Sequence, residues 1–114
     1  CVVVKNQVIV AVEAVEGTDE TIIRGGKLGG KGTVVVKRTK AHQDLRFDLP
    51  AVGPKTIESM VTIKASVLAV EAGRTVVLDR EEMAATAKSA GIAIVGMTSR
   101  DSLKHAVSSI VSKI

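Results

Sequence analysis

The chain has 114 residues, of which 46% are hydrophobic and 1% aromatic, and it carries a formal net charge of +4. This length suits one domain with a core of small aliphatic side chains, which fill the thin layers of an α/β fold. One Cys and two His exclude a tetrahedral zinc site, and no apolar run approaches the ~18 residues of a membrane-spanning helix.

The beginning of the chain predicts a hairpin followed by a helix. Residues 2–4 and 7–12 are β-branched runs, and residues 5–6 between them are typical of a tight turn. Thr18 or Asp19 is suited to capping a helix, which we expect to end at the glycines that follow.

The middle of the chain predicts a buried strand at residues 34–36 and a second helix that begins after Gly53. Pro54 fits the first position of that helix, because its missing N–H costs no hydrogen bond there. Residues 67–70 and 75–78 are apolar runs on either side of a glycine, and we expect them to pair as a second hairpin.

The last part of the chain predicts two more helices. Asp79 with Glu82 is typical of a capping box, and Gly91 is expected to end the helix that follows. Residues 92–95 are a further buried run, and apolar residues recur at helical spacing through residues 103–114. Apolar strands that alternate with helices predict an α/β fold: a mixed, partly parallel sheet covered by helices, with hairpin-like strand pairs.

The stretch GGKLGGKGTVVV, residues 25–36, has the glycines and lysines of a phosphate-binding loop. A Walker loop requires Ser or Thr directly after its Gly-Lys pair and a helix behind it, whereas Gly32 follows Lys31 and a strand is predicted next. Two interpretations stay open: a flexible turn that closes over a phosphate, and a solvated linker between helix and strand.

The composition does not favour nucleic acid as a partner. Proteins that bind single strands usually stack bases on aromatic side chains, and Phe47 is the only aromatic residue here. Proteins that read duplex DNA present a helix with clustered Arg or Lys, which none of the predicted helices has.

Acidic side chains gather near the ends of the predicted elements, where hard cations such as Mg²⁺ are usually held. Any such ion would have oxygen ligands, since Cys and His are scarce. The candidates are Glu13, Glu16, Asp19, Asp44, Asp48, Glu71 and Asp79.

The stretch HQDLRFDLPAVGPKT, residues 42–56, places Asp44, Arg46 and Asp48 at every second position. In an extended conformation these three charges share one face, and the apolar residues between them share the other. Two residues four apart in a strand are ~13 Å apart, so the two aspartates would have separate roles unless the segment bends. The segment leads to a predicted helix N-terminus, which attracts phosphate.

Three segments together resemble a known family: AVEAVEGTDETIIRGG, KRTKAHQDLRFDLPAVGPKTIE and LAVEAGRTVVLDREE. The likeness, over residues 8–96, is to the C-terminal domain of the UDP-2,3-diacylglucosamine pyrophosphatases of the LpxI class. The resemblance implies a magnesium-dependent hydrolase that cleaves the pyrophosphate of UDP-2,3-diacylglucosamine to UMP and 2,3-diacylglucosamine 1-phosphate in lipid A biosynthesis.

The resemblance also implies the domain organisation. Residues 1–114 would be a single α/β domain, the C-terminal catalytic-type domain of a longer two-domain protein. The substrate, a lipid-linked UDP-sugar, would lie between this domain and an N-terminal domain, so the isolated chain is expected to hydrolyse little or nothing. A lone cysteine favours a cytoplasmic protein, and peripheral contact with the inner membrane and oligomerisation are both compatible with that expectation.

Roles for individual residues follow from the same resemblance. Asp48 is the first choice for activating water or holding metal and Asp44 the second, which makes them the predicted catalytic residues. A cation such as Lys37 or Arg46 would neutralise charge on the diphosphate. The predicted substrate-binding residues are Lys37, Gln43, Arg46, Gly53, Thr56, Glu71 and Arg74, and the predicted metal ligands are Glu13, Glu16 and Asp19.

A rival interpretation keeps the fold and drops the catalysis. A noncatalytic α/β module could recognise a phosphate or a protein surface through its basic glycine-rich stretch. The two interpretations differ in whether the aspartates of residues 42–56 matter for turnover.

Overall fold

The computed structural model of the chain describes residues 1–39 and 49–98. Within these residues, strands and helices alternate along most of the chain. In order they are β1 (Val2–Lys5), β2 (Val8–Val12), α1 (Thr18–Gly29), β3 (Val34–Lys37), β4 (Ala51–Val52), α2 (Pro54–Thr62), β5 (Val67–Glu71), β6 (Val76–Val77), α3 (Arg80–Ala90) and β7 (Ala93–Met97).

Five of the strands form a mixed sheet in the order β2-β1-β3-β5-β7. β1 is antiparallel to both β2 and β3, whereas β3, β5 and β7 are parallel to one another. The parallel strands are connected through α2 and α3, as parallel pairing requires. The predicted α/β class with a mixed, partly parallel sheet is therefore confirmed.

The predicted first hairpin is also confirmed, with its turn one residue later than expected. Asn6 and Gln7 occupy the turn with φ angles of 49° and 65°. Both values lie in the left-handed region, which the two-residue turns that match strand twist require and which Asn tolerates better than most residues.

Both faces of the central strands are buried. One face packs against the three described helices, with α1 contributing Ile22, α2 contributing Ile57 and Met60, and α3 contributing Met83. The opposite face forms a second apolar cluster of strand residues. Burial on both faces accounts for the continuous β-branched runs in the sequence. The members of the second cluster are Val4, Val34, Val36, Val67, Ala69 and Met97.

Glycines end the first helix as predicted, but the predicted position is wrong, because α1 continues through Gly25 and Gly26 to Gly29 and has Gly30 as its C-cap. A Cβ atom added to Gly25 would lie 2.6 Å from Cβ of the buried Val3 on β1, closer than real carbon atoms approach. The absent side chain lets α1 lie directly against β1, and this contact outweighs the low helix propensity of glycine.

The predicted second hairpin is wrong as well. β5 pairs with β3 on one side and β7 on the other, so it has no side left for a hairpin partner. β6 pairs instead with β4 in a separate two-stranded parallel sheet. A strand that is apolar on both faces is stabilised more by a central position in the sheet than by pairing with the next segment of the chain. After β5 the chain turns away from the sheet, and there the Thr75 hydroxyl donates a hydrogen bond to the Glu71 carbonyl at 2.8 Å.

The helix boundaries were predicted well from local signals. α2 begins with Gly53 as its N-cap and Pro54 at its first turn, and Gly91 ends α3 in the left-handed conformation. Asp79 is the N-cap of α3, but no capping bond to its side chain forms, because its backbone is left-handed (φ 45°) rather than extended. The predicted capping box is therefore not formed.

Residues 42–48 and the predicted final helix at residues 103–114 lie outside the described residues. None of the helices within residues 1–39 and 49–98 combines the length and apolar character needed to cross a membrane.

The close approach of α1 to β1 gives a stability prediction. Replacing Gly by Ala inside a helix normally stabilises it by ~0.5–1 kcal/mol, yet we expect Gly25→Ala to destabilise the domain by about 1–3 kcal/mol because its methyl group overpacks against Val3. Urea unfolding measures the change. Lys27→Ala, at an exposed position of the same helix, serves as the control. A Gly25→Ala protein as stable as wild type would show that α1 and β1 can adjust to the added methyl group without loss of stability.

Candidate functional site

Polar side chains converge at one edge of the five-stranded sheet, where β3, β5 and β7 have their carboxyl ends. β1 and β3 are antiparallel, and Val2 pairs with both Val36 and Val12, so the end of β2 lies at this edge too. The first turns of α1 and α2 also meet there, as shown by the ion pair of Lys55 with Asp19. We call this region the polar edge; its members are Glu13, Glu16, Thr18, Asp19, Lys37, Arg38, Thr39, Lys55 and Glu71.

Glu71, at the end of β5, connects two neighbouring strand ends. Its Oε1 accepts a hydrogen bond from the backbone N–H of Thr39 at 2.8 Å, and Nε of Arg38 forms an ion pair with the same oxygen at 3.2 Å. The side chain is only 16% exposed. The carboxylate therefore fixes the path of the chain as it leaves β3 towards residues 40–48.

Lys37 is the last residue of β3 and reaches the first turn of α1. Its Nζ donates to Oγ1 of Thr18 at 2.8 Å, and that hydroxyl lies 3.4 Å from Oε2 of Glu13. The backbone nitrogen of Cys1 lies 3.0 Å from the same Glu13 oxygen. A lysine ammonium group is thus held beside a helix N-terminus and a carboxylate, in an arrangement suited to an anionic ligand.

Glu16 is occupied by a different set of partners. Its Oε1 accepts bonds from Nη2 of Arg24 at 2.6 Å and from Oγ1 of Thr21 at 2.9 Å. These bonds, the Arg24 bond above all, hold the pKa of the Glu16 carboxyl below its usual value. Arg24 also donates to the carbonyl of Val12 at 2.7 Å, so it links α1 to the end of β2.

Asp19 ties the first turn of α1 to α2. Its Oδ1 accepts a bond from the Ser59 hydroxyl at 3.3 Å, and Nζ of Lys55 lies 3.9 Å from its Oδ2. Lys55 is 85% exposed, so this ion pair contributes little to stability. Its ammonium group nevertheless lies in solvent beside the polar edge.

The three predicted metal ligands, Glu13, Glu16 and Asp19, lie in one region but have three separate sets of partners. Among residues 1–39 and 49–98, no group of three or more His, Cys, Asp or Glu side chains is placed to hold a metal ion. The role of these carboxylates as magnesium ligands stays a prediction.

Two of the predicted substrate contacts belong to the N-terminus of α2. The Thr56 hydroxyl accepts a hydrogen bond from the backbone N–H of Gly53 at 3.3 Å, and Thr56 is only 7% exposed. Arg74 lies in the exposed turn after β5. The remaining predicted site residues, Gln43, Asp44, Arg46 and Asp48, lie outside the described residues.

Four members of the polar edge were not predicted as site residues: Thr18, Arg38, Thr39 and Lys55. The hydroxyl of Thr39 is buried and has no hydrogen-bond partner in the described part of the chain. Arg38 and Thr39 directly follow a predicted strand, and that position was the available signal. Thr18 was recognised only as a helix cap.

With this geometry established, comparison with known proteins decides the family. Residues 1–95 match the LpxI C-terminal domain. The chain belongs to this family. It is 34% identical over 103 residues, 83% of its length, to the UDP-2,3-diacylglucosamine pyrophosphatase LpxI of Caulobacter vibrioides. The aligned region spans 37% of that protein.

The paired state of Glu16 gives a prediction about pH. We expect Arg24→Gln to move the pKa of Glu16 up towards its usual value, because the largest cause of its lowering is removed. A carboxylate with a lowered pKa stabilises the fold above its ordinary pKa and loses that contribution as the pH falls through the lowered value. Titration of the Glu16 side-chain carbon by NMR measures the change. An unchanged Glu16 titration in the variant would show that the ion pair is not maintained in solution.

Proposed function

We propose that this LpxI C-terminal domain, as part of a longer two-domain protein, hydrolyses the pyrophosphate bond of UDP-2,3-diacylglucosamine. The products are UMP and 2,3-diacylglucosamine 1-phosphate, in lipid A biosynthesis. Support comes from the family, from the name of the Caulobacter relative and from the length of that relative, which leaves room for a further domain. The observation that carries the proposal is the polar edge, from which the chain continues into the segment with Asp44 and Asp48.

The reaction needs a water molecule to attack one phosphorus atom while the bond from that phosphorus to the bridging oxygen breaks. The oxygen leaves on the other phosphate, and the attacking water loses a proton. In such reactions a protein mainly positions the reactants and neutralises charge. Asp48 is proposed to receive the water proton, with Asp44 as the second choice.

The described cations at the polar edge are proposed to bind the diphosphate oxygens. Lys37 is held at the end of β3 beside the first turn of α1. The first turn of α2 contains no acidic residue, whereas that of α1 already has Asp19 and Glu20. The first turn of α2 therefore repels an incoming anion less than the first turn of α1 does.

Magnesium dependence is part of the proposal and rests on the family resemblance. The described carboxylates do not form a ligand set of their own, so no step of the hydrolysis is assigned to an ion held by them. Asp44 and Asp48 are the carboxylates proposed to complete such a set.

The rival function, a noncatalytic module that binds phosphate through the glycine-rich stretch, loses its main support. Residues 25–29 of that stretch lie within α1, and residues 34–36 lie within β3. The turn that follows lies at the opposite edge of the sheet, where the N–H of Gly32 donates to the carbonyl of Lys64 at 2.9 Å. A phosphate bound at that turn would be far from the polar edge.

The catalytic assignment is tested in the two-domain protein with Asp48→Ala and Asp44→Ala. We expect each variant to lower kcat for UMP release by about 100-fold or more, because a proton acceptor or a charge at the reacting centre is lost. The assay is run with excess Mg²⁺ and with a chelator, and the chelator should abolish turnover. If both variants turn over like wild type, the noncatalytic interpretation is preferred.

Lys37 gives an independent test within the described residues. We expect Lys37→Gln to lower kcat/KM for UMP release by about 100-fold, since a cation that stabilises developing charge is removed. Lys27→Gln makes the same change at the other end of α1, in its last turn, and should leave kcat/KM unchanged. Circular dichroism melting checks that both variants are folded. Equal activity in a folded Lys37→Gln protein would remove Lys37 from the proposed site.

A further inference from the structure

A hollow of about 390 Å³ lies between α3 and the carboxyl ends of β5 and β7. We propose that it binds one acyl chain of the substrate, and this inference rests on the proposed function. Its apolar lining comes from strand residues on one side and from α3 on the other. They include Val70, Val77, Met83, Ala84 and Ile94.

The hollow exists because small residues line its open side. Gly96, on β7, has no side chain, and Cβ of Ala72 lies 3.4 Å from where a Cβ of Gly96 would stand. Ala84 is exposed on α3, and Ile94 is 37% exposed on β7. Apolar surface left open in this way is stabilised when a hydrocarbon covers it.

The hollow and the polar edge share one residue, Glu71. That residue lines the hollow, and its carboxylate also forms the ion pair with Arg38 and accepts the hydrogen bond from Thr39. A ligand whose phosphate groups occupy the polar edge can therefore place an apolar tail on the other side of Glu71. The name of the Caulobacter relative identifies such a ligand class, a diacylated sugar nucleotide.

An acyl chain fits the hollow better than the uracil ring of the same substrate. Nucleobases need hydrogen-bond partners for their polar edges, and burying those edges against apolar walls is costly. Pockets that hold a whole ligand measure roughly 300–1,000 Å³, and at about 390 Å³ this hollow is at the low end. Its size suits one chain of a large substrate rather than the whole molecule.

The test fills the hollow and measures how activity depends on acyl-chain length. Ala84→Leu in the two-domain protein places a larger apolar side chain in the hollow, at an exposed helix position that tolerates Leu. Ala85→Leu makes the same change one residue further on, at an exposed position that does not line the hollow. UMP release is measured with UDP-2,3-diacylglucosamines of decreasing chain length, and UMP inhibition is measured in parallel.

In wild type and Ala85→Leu we expect kcat/KM to fall by up to ~4-fold per methylene removed. In Ala84→Leu we expect kcat/KM for the long-chain substrate to fall by about 10-fold, while the shortest-chain substrate reacts as in wild type. Inhibition by UMP should be equal in all three proteins. Gly96→Ala, which adds one methyl group to the same hollow, should show a smaller effect of the same kind.

The outcomes separate the two proposals. If wild type releases UMP and Ala84→Leu has the chain-length dependence of Ala85→Leu, the acyl-chain site is overturned and the proposed function stands. If Ala84→Leu weakens UMP inhibition alone, the hollow binds the nucleotide and the acyl assignment is overturned. If wild type releases no UMP, the proposed function fails. Calorimetry with 2,3-diacylglucosamine 1-phosphates then tests whether the hollow binds an acyl chain. Equal affinities in Ala84→Leu and Ala85→Leu would overturn the acyl-chain site.

Discussion

The position of α1 against β1 is the constraint on which the polar edge depends. The absence of a side chain at Gly25 brings the helix directly onto Val3. Because α1 lies this close, its first turn reaches the end of β3, where Thr18 accepts the hydrogen bond from Lys37. A helix held further from the sheet would move Thr18 away from Lys37. A packing requirement of the core thus determines the geometry of a polar cluster at the surface.

The parallel strands supply the second part of this arrangement. Parallel strands connected through helices bring their carboxyl ends to one edge, and ligands of open α/β sheets bind outside those ends. Lys37 pairs in register with Val70, and Glu71 follows Val70 directly, so the last residues of β3 and β5 are neighbours. Residues distant in sequence therefore become the two sides of one site without any special loop structure.

The parts of the fold that depend on local signals could be predicted from sequence. The first hairpin, the proline at the start of α2 and the glycine at the end of α3 are examples, since each is determined by the conformations open to a few neighbouring residues.

The parts that depend on distant contacts could not be predicted. Gly25 and Gly26 looked like a helix end because their contacts with β1 and with Ile63 after α2 are absent from local sequence. The second hairpin was predicted because nothing in residues 67–78 shows that β3 and β7 occupy both sides of β5. In the site, Glu71 was identified from its position at a strand end and Lys37 from the family resemblance, whereas Thr39 was missed because only the folded chain brings its N–H to Glu71.

The described polar edge has features of one side of a site that another surface completes. Its carboxylates are mostly occupied by partners within the chain, through Arg24 on Glu16 and Arg38 on Glu71. Groups paired in this way hold the scaffold in place and leave less charge for a substrate. Lys55, by contrast, projects into solvent from the first turn of α2. Among the described residues, a diphosphate held here would have protein on one side only, and hydrolysis of a phosphoanhydride bond proceeds best where bulk water is excluded and charges are fixed. A second domain over the polar edge would supply that enclosure, which agrees with a chain that spans 37% of its relative.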